Sequence, residues 1–120
     1  MRAQKYSWDE MPEETLNDTL SRKMVVGEKE MLCWLKLKPG CVVPMHSHEH
    51  EQISHVLQGR LRFFIDDETV EIGPGETLLI PPHVPHSVEV VGDETAIDYD
   101  IFSPIREDWV DGTDDYLRDG

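Results

Sequence analysis

Cysteine is scarce in this chain of 120 residues: Cys33 and Cys41 are the only two, too few for a disulfide framework. The two could pair across neighbouring strands, but nothing at the start of the sequence directs export, so reduced structural thiols are expected. That start, M-R-A-Q-K-Y-S-W-D-E, has no apolar signal region. No stretch anywhere approaches the ~20 apolar residues of a membrane-spanning helix. A cytoplasmic location is therefore expected. Positive charge is also in short supply, with 11 Lys and Arg against 25 Asp and Glu and a formal net charge of -14. Such a balance argues against nucleic acid or an anionic membrane as partner. It disfavours an anionic small ligand only at long range, because screening over ~8–10 Å at cellular salt leaves the local groups in control. Helical periodicity is absent as well: P-E-E-T-L-N-D-T-L near the N-terminus can form one turn at most. There are no internal repeats and no low-complexity segment.

What the chain does contain is a series of short strands separated by turn residues, the pattern of an all-β sandwich or barrel in one domain. In M-L-C-W-L-K-L-K, Leu32 and Trp34 alternate with Met31, Cys33, Leu35 and Leu37, so both faces are expected to be partly buried. After Gly59, R-L-R-F-F-I sets Leu61, Phe63 and Ile65 against Arg60, Arg62 and Phe64. Asp66-Asp67 turns the chain, E-T-V-E-I returns, and Gly73-Pro74-Gly75 turns it again. T-L-L-I, H-S-V-E-V-V and T-A-I-D-Y-D-I-F complete the set, with Gly92-Asp93 between the last two.

Four of the six histidines fall within G-C-V-V-P-M-H-S-H-E-H-E-Q-I-S-H-V-L-Q-G, residues 40–59. His46, His48 and Gln52 share parity, so on an extended strand they face one way and can converge on a single ion. Two imidazoles and an amide oxygen suit a borderline divalent metal. A second segment, G-E-T-L-L-I-P-P-H-V-P-H-S-V, carries His86 at the end of another apolar strand. Together the two segments resemble the paired motifs of the cupin superfamily. Gly40, His46, His48, Gln52 and Gly59 follow the first, with glutamine where glutamate is usual; Gly75, Pro81, His83 and His86 follow the second, with His83 in a glycine position and Val90 where asparagine would stand. The resemblance implies a double-stranded β-helix, the jelly-roll barrel, with His46, His48, Gln52 and His86 holding one divalent transition metal (Ni, Zn, Fe, Mn or Co). It further implies an N-terminal arm over residues 1–22, a barrel domain over 23–110 and an acidic tail over 111–120, lying on the surface or against a partner subunit. A homodimer through an apolar edge carrying Trp34 is expected. His50 is expected beside the site, with Glu49 and Glu51 solvated, His55 facing away and His83 exposed.

D-Y-D-I-F-S-P-I-R-E-D-W puts Asp98, Asp100 and Phe102 on one face of a strand and Tyr99 and Ile101 on the other. An aspartate inside an apolar strand is unfavourable unless it is paired or functional, so Asp100 is either a salt-bridge partner of an arginine or a site carboxylate. This ending, together with V-P-M-H-S-H-E-H-E-Q, looks like that of the KdgF proteins, small cupins of pectin and alginate breakdown. That likeness implies conversion of 4,5-unsaturated monouronates to linear keto forms. Asp100 would be the acid/base, Arg106 a bidentate clamp for the substrate carboxylate, and Phe102 a wall of the mouth; Arg60 and Arg62 are expected to be exposed strand positions. The partner implied is a small anionic sugar. Two rivals use the same ligands: a three-histidine dioxygenase, and a non-catalytic cupin that binds metal or sugar.

Overall fold

The computed structural model describes residues 2–118. Ten strands run in chain order: β1 Glu14–Asn17, β2 Leu20–Val26, β3 Met31–Leu37, β4 Val42–His46, β5 Glu51–Gln58, β6 Leu61–Ile65, β7 Glu68–Ile72, β8 Thr77–Ile80, β9 His86–Val90 and β10 Ala96–Ser103. Two short helices follow, α1 Glu107–Asp111 and α2 Asp115–Arg118. The strands form a six-stranded sheet in the order β1-β2-β3-β10-β5-β8 and a four-stranded sheet in the order β4-β9-β6-β7, with every pairing antiparallel. This is the expected jelly roll, and β3 and β6 to β10 fall within a residue of where the alternating patterns and turn residues put them.

Alternation decides the core. On β3, Met31, Cys33, Leu35 and Leu37 are buried while Leu32, Trp34 and Lys36 are half-buried on the outer face. Facing them from the other sheet, Leu61, Phe63 and Ile72 are buried, each side chain contributing about 1.5–3 kcal/mol. Cys33 and Cys41 are both free and buried. Gly59 joins β5 to β6 at φ 76°, and a Cβ there would stand 2.9 Å from the Ala96 Cα. His83 adopts φ 68°, the left-handed region that histidine enters more readily than most side chains. This is why the second motif ordinarily has glycine at that position. The turn is useful to the site, because the His83 N–H donates to the His48 carbonyl at 2.7 Å and ties the second motif to the first.

Three expectations need correction. P-E-E-T-L-N-D-T-L is not a helical turn: Glu14–Asn17 pairs antiparallel with β2, because a neighbouring strand offers the backbone a full ladder that one isolated turn cannot match. Trp34 does not mark an edge, since β3 lies between β2 and β10 and the Lys23 ammonium sits 4.7 Å over its ring. Nor is the segment after residue 110 a surface tail as far as it is described, to residue 118: Asp114 and Leu117 are buried. Gly112, in the left-handed conformation at φ 78°, ends α1 and turns the chain back. α2 then packs against β1 and β4, the outermost strands of the two sheets, and closes the seam between them. Four charges hold it there in a ring: Arg22 pairs with Glu14 and with Asp114, and Arg118 pairs with the same two carboxylates.

Candidate metal centre

His46 ends β4 and His86 begins β9, and the two are register partners, so adjacent strands present their rings side by side at 4.3 Å between centroids. His48 comes from the loop between β4 and β5 and Gln52 from the start of β5. His46, His48 and Gln52 therefore do not share one extended strand: the chain crosses from the four-stranded to the six-stranded sheet between His46 and Gln52, and a turn brings the ligands together. One ligand nitrogen from each of His46, His48 and His86 lies within 4.8 Å of the others. Asp100 pairs with no arginine among the described residues.

Hydrogen bonding orients all three rings alike. Nδ1 of His46 contacts the Pro44 carbonyl at 2.8 Å, Nδ1 of His48 the His50 carbonyl at 3.0 Å, and Nδ1 of His86 the Val84 carbonyl at 2.9 Å. A carbonyl only accepts, so each Nδ1 carries the hydrogen and each Nε2 keeps a lone pair. Burial pulls His46 and His48 down to about 4 and lowers His86, so the rings are neutral near pH 7. The His48 Nε2 lone pair then faces the Gln52 Oε1 at 3.1 Å, two acceptors with no proton between them. The buried Nε2 of His86 has no partner among the described residues. Converging acceptors held from behind by carbonyls are what a bound cation needs, and this donor set fits a divalent transition metal.

The amide of Gln52 is fixed by donation of its Nε2–H to Ser54 Oγ at 3.0 Å, and Ser54 donates in turn to Asp100 Oδ1 at 2.6 Å. Asp100 is hydrogen-bonded to Asp98, and both point inward from β10, 6% and 3% exposed. Two carboxyl groups in such contact must share a proton. Burial pushes Asp98 well above the ordinary carboxylate range, with the neighbouring Asp100 adding to it. Asp100 is raised too, first by burial, against the opposing hydrogen bonds from Asp98 and Ser54.

Arg106 is 3% exposed. Its Nε and Nη2 donate to Asp108 at 3.0 and 2.8 Å, and Nη2 also donates to the Tyr116 hydroxyl at 2.8 Å. The guanidinium lies 5.1 Å from the Phe102 centroid and 4.9 Å from that of Trp109, and its Nη1 is buried with no partner among the described residues. Its charge acts on His46, His48, His86 and Asp100. Phe102 packs edge-on against His48 at 5.7 Å. A cavity of about 40 Å³ lies between the sheets, lined on its polar side by His46, Gln52, His86, Asp98, Asp100 and Tyr116. That volume holds a few waters.

His50 stands beside the cluster, its ring 5.4 Å from that of His48. Glu49, Glu51 and His83 are exposed, and His55 bonds Thr77 on the outer face at 2.7 Å. Arg62 is engaged by Glu71 and Glu89. Sequence reasoning missed Ser54, Asp108 and Tyr116 as parts of the site. The even spacing of Ser54 from Gln52 was a usable signal; nothing local marked the other two.

Residues 33–102 match the family described as the cupin domain. The chain is a cupin. It is 31% identical over 78 residues to an uncharacterised protein of Methanocaldococcus jannaschii, covering 64% of this cupin and 62% of that protein, less than two thirds of its length. Among solved structures it is similar to KdgF from a Halomonas species (27% identity, TM-score 0.81, 88% of this cupin and 99% of that chain). It is also similar to an RmlC-like cupin from Shewanella frigidimarina (28% identity, TM-score 0.80, 89% and 96%).

Proposed function

We propose that this cupin is a metal-dependent enzyme that converts 4,5-unsaturated monouronates into their linear keto forms. The observation that carries the reading is the buried, unpartnered Nη1 of Arg106, whose charge acts on both the histidine cluster and Asp100. A guanidinium N–H kept out of water with no acceptor calls for an anion. A carboxylate held there also leaves the -14 charge of the whole chain secondary to one local cation.

The reaction is an isomerisation. The hydroxyl at C1 gives up a proton to water, the bond from C1 to the ring oxygen breaks to leave an aldehyde and an enolate at C5, and the enolate takes a proton at C4 to become a ketone. Asp100 suits the last step because burial raises its carboxyl above the usual range, and Ser54 fixes the direction it faces. Arg106 binds the carboxylate, and Phe102, in contact with both the guanidinium and His48, walls the entry. His46, His48, His86 and Gln52 would hold a divalent metal, which supplies Lewis-acid stabilisation of the negative charge that develops on oxygen. Similarity to the Halomonas KdgF supports the substrate class.

The test is to mix the metal-loaded protein with an unsaturated monouronate and follow the ultraviolet absorbance of the enol. Its disappearance at a rate set by protein concentration is expected. Unchanged absorbance overturns the reading, and oxygen uptake in its place marks a dioxygenase.

A further inference from the structure

Tyr116 accepts two hydrogen bonds, from Arg106 Nη2 at 2.8 Å and from Trp109 Nε1 at 3.1 Å. Its ring lies 4.8 Å from that of His46, centroid to centroid, and it lines the cavity. A phenol oxygen that receives two hydrogens still carries its own. No acceptor for that hydrogen is found among the described residues. The residue is not there by chance of a loose end, because α2 is anchored on both sides: Asp114 and Leu117 are buried, Asn17 Nδ2 donates to the Leu117 carbonyl at 2.6 Å, and Arg118 binds Glu14 and Asp114.

We propose that Tyr116 is a ligand-binding residue, donating its phenolic hydrogen to an oxygen of an anionic sugar held at Arg106. The inference rests on the uronate reading and adds a donor to it. Arg106 Nη1 and the tyrosine O–H belong to one hydrogen-bonded cluster beside His46, a charged and a neutral donor that can serve neighbouring oxygens of one ligand. The Arg106 Nη2 bond to Tyr116, with the two bonds to Asp108, holds the guanidinium plane, so one side chain both positions the arginine and completes the pocket. Its source on α2 also explains why the segment closing the barrel seam belongs to the site.

Tyr116→Phe keeps the ring against His46 and removes only the hydroxyl. Binding of galacturonate, a saturated monouronate, is measured by calorimetry on metal-loaded parent, Tyr116→Phe and Arg106→Lys proteins, with metal content and melting recorded for each. The expected result is roughly ten- to a hundredfold weaker binding in Tyr116→Phe, with metal content as in the parent and only a small fall in melting temperature from the bonds lost by Trp109 and Arg106. Parent-like affinity in Tyr116→Phe beside weakened binding in Arg106→Lys overturns the role of the tyrosine and leaves the uronate reading standing. Weak binding that appears only with metal loss or with partial unfolding at the temperature of the measurement also overturns it, since the hydroxyl is then structural. Failure of the parent to bind galacturonate overturns both.

Discussion

Ser54 stands between the metal ligands and the acid pair: its hydroxyl donates to Asp100 at 2.6 Å while accepting from the Gln52 amide at 3.0 Å. The orientation of Gln52, and with it the oxygen offered to a cation, is thereby coupled to the carboxylate on the neighbouring strand.

Asp100→Asn keeps the shape and most of the hydrogen bonding while removing the acid. Turnover of an unsaturated uronate is expected to fall by roughly 10²–10⁴-fold with metal content and melting temperature close to the parent's. A stability loss with normal turnover per folded molecule would show instead that the carboxyl is structural.

Metal retention should depend on the histidines jointly. The His46→Ala and His48→Ala double variant is expected to lose the ion, and elemental analysis after gel filtration reads this directly. The interior stays apolar, so the variant should fold. Stoichiometric metal in the double variant would place the ligands elsewhere.

Asp98 gives a dependence of stability on pH with a definite sign. The folded chain holds its proton well above 3.8, whereas the unfolded chain releases it there, so over that interval the native state binds more protons and stability falls as pH rises. His46 and His48, lowered from 6.5 to about 4, act oppositely: between those values the unfolded state binds more protons and stability rises with pH. Asp98→Asn removes the more strongly raised member of the Asp98–Asp100 pair. Urea unfolding of the metal-free proteins from about pH 5 to about pH 9 should show the parent losing stability with pH relative to the variant. Parallel curves would mean that Asp98 carries no retained proton.

The charge ring around α2 contains unequal members. Arg22 and Asp114 side chains are both 0% exposed, while Glu14 is 42% exposed. Asp114→Ala strands a buried guanidinium and should cost about 3–5 kcal/mol. Glu14→Ala removes a partly solvated partner and should cost about 1 kcal/mol or less. Denaturant unfolding compares the two; equal small losses would show that Arg22 finds water when Asp114 is gone.

Much of the barrel was legible because strand alternation and turn residues are local. Leu61, Phe63 and Ile65, or Asp98, Asp100 and Phe102, sort to one face by spacing alone. The ligand set was legible through two motifs, although His48 reaches the site from a loop and not by strand parity. What stayed hidden depends on distant residues. Asp114 and Arg118 read as a solvated acidic tail because their partners, Arg22 and Glu14, lie 92 and 104 positions away. Trp34 reads as an edge residue because sequence does not reveal that β10 inserts beside β3. Asp98 could be assigned a face, but its bond to Asp100 needs two inward side chains to lean together, and spacing does not report that.

The closure of the barrel seam by α2 has a consequence for the order in which the molecule assembles. Hairpin pairings such as β6 with β7 close short loops, but α2 must find strands at the far end of the sequence, the most expensive loop closure in the chain. Its contacts are therefore expected to form after the sheets and to open before them. The backbone amides of residues 113–117 should exchange with solvent faster than those of β3 and β10, and the histidine cluster would be assembled before the tyrosine and arginine that complete its pocket are set.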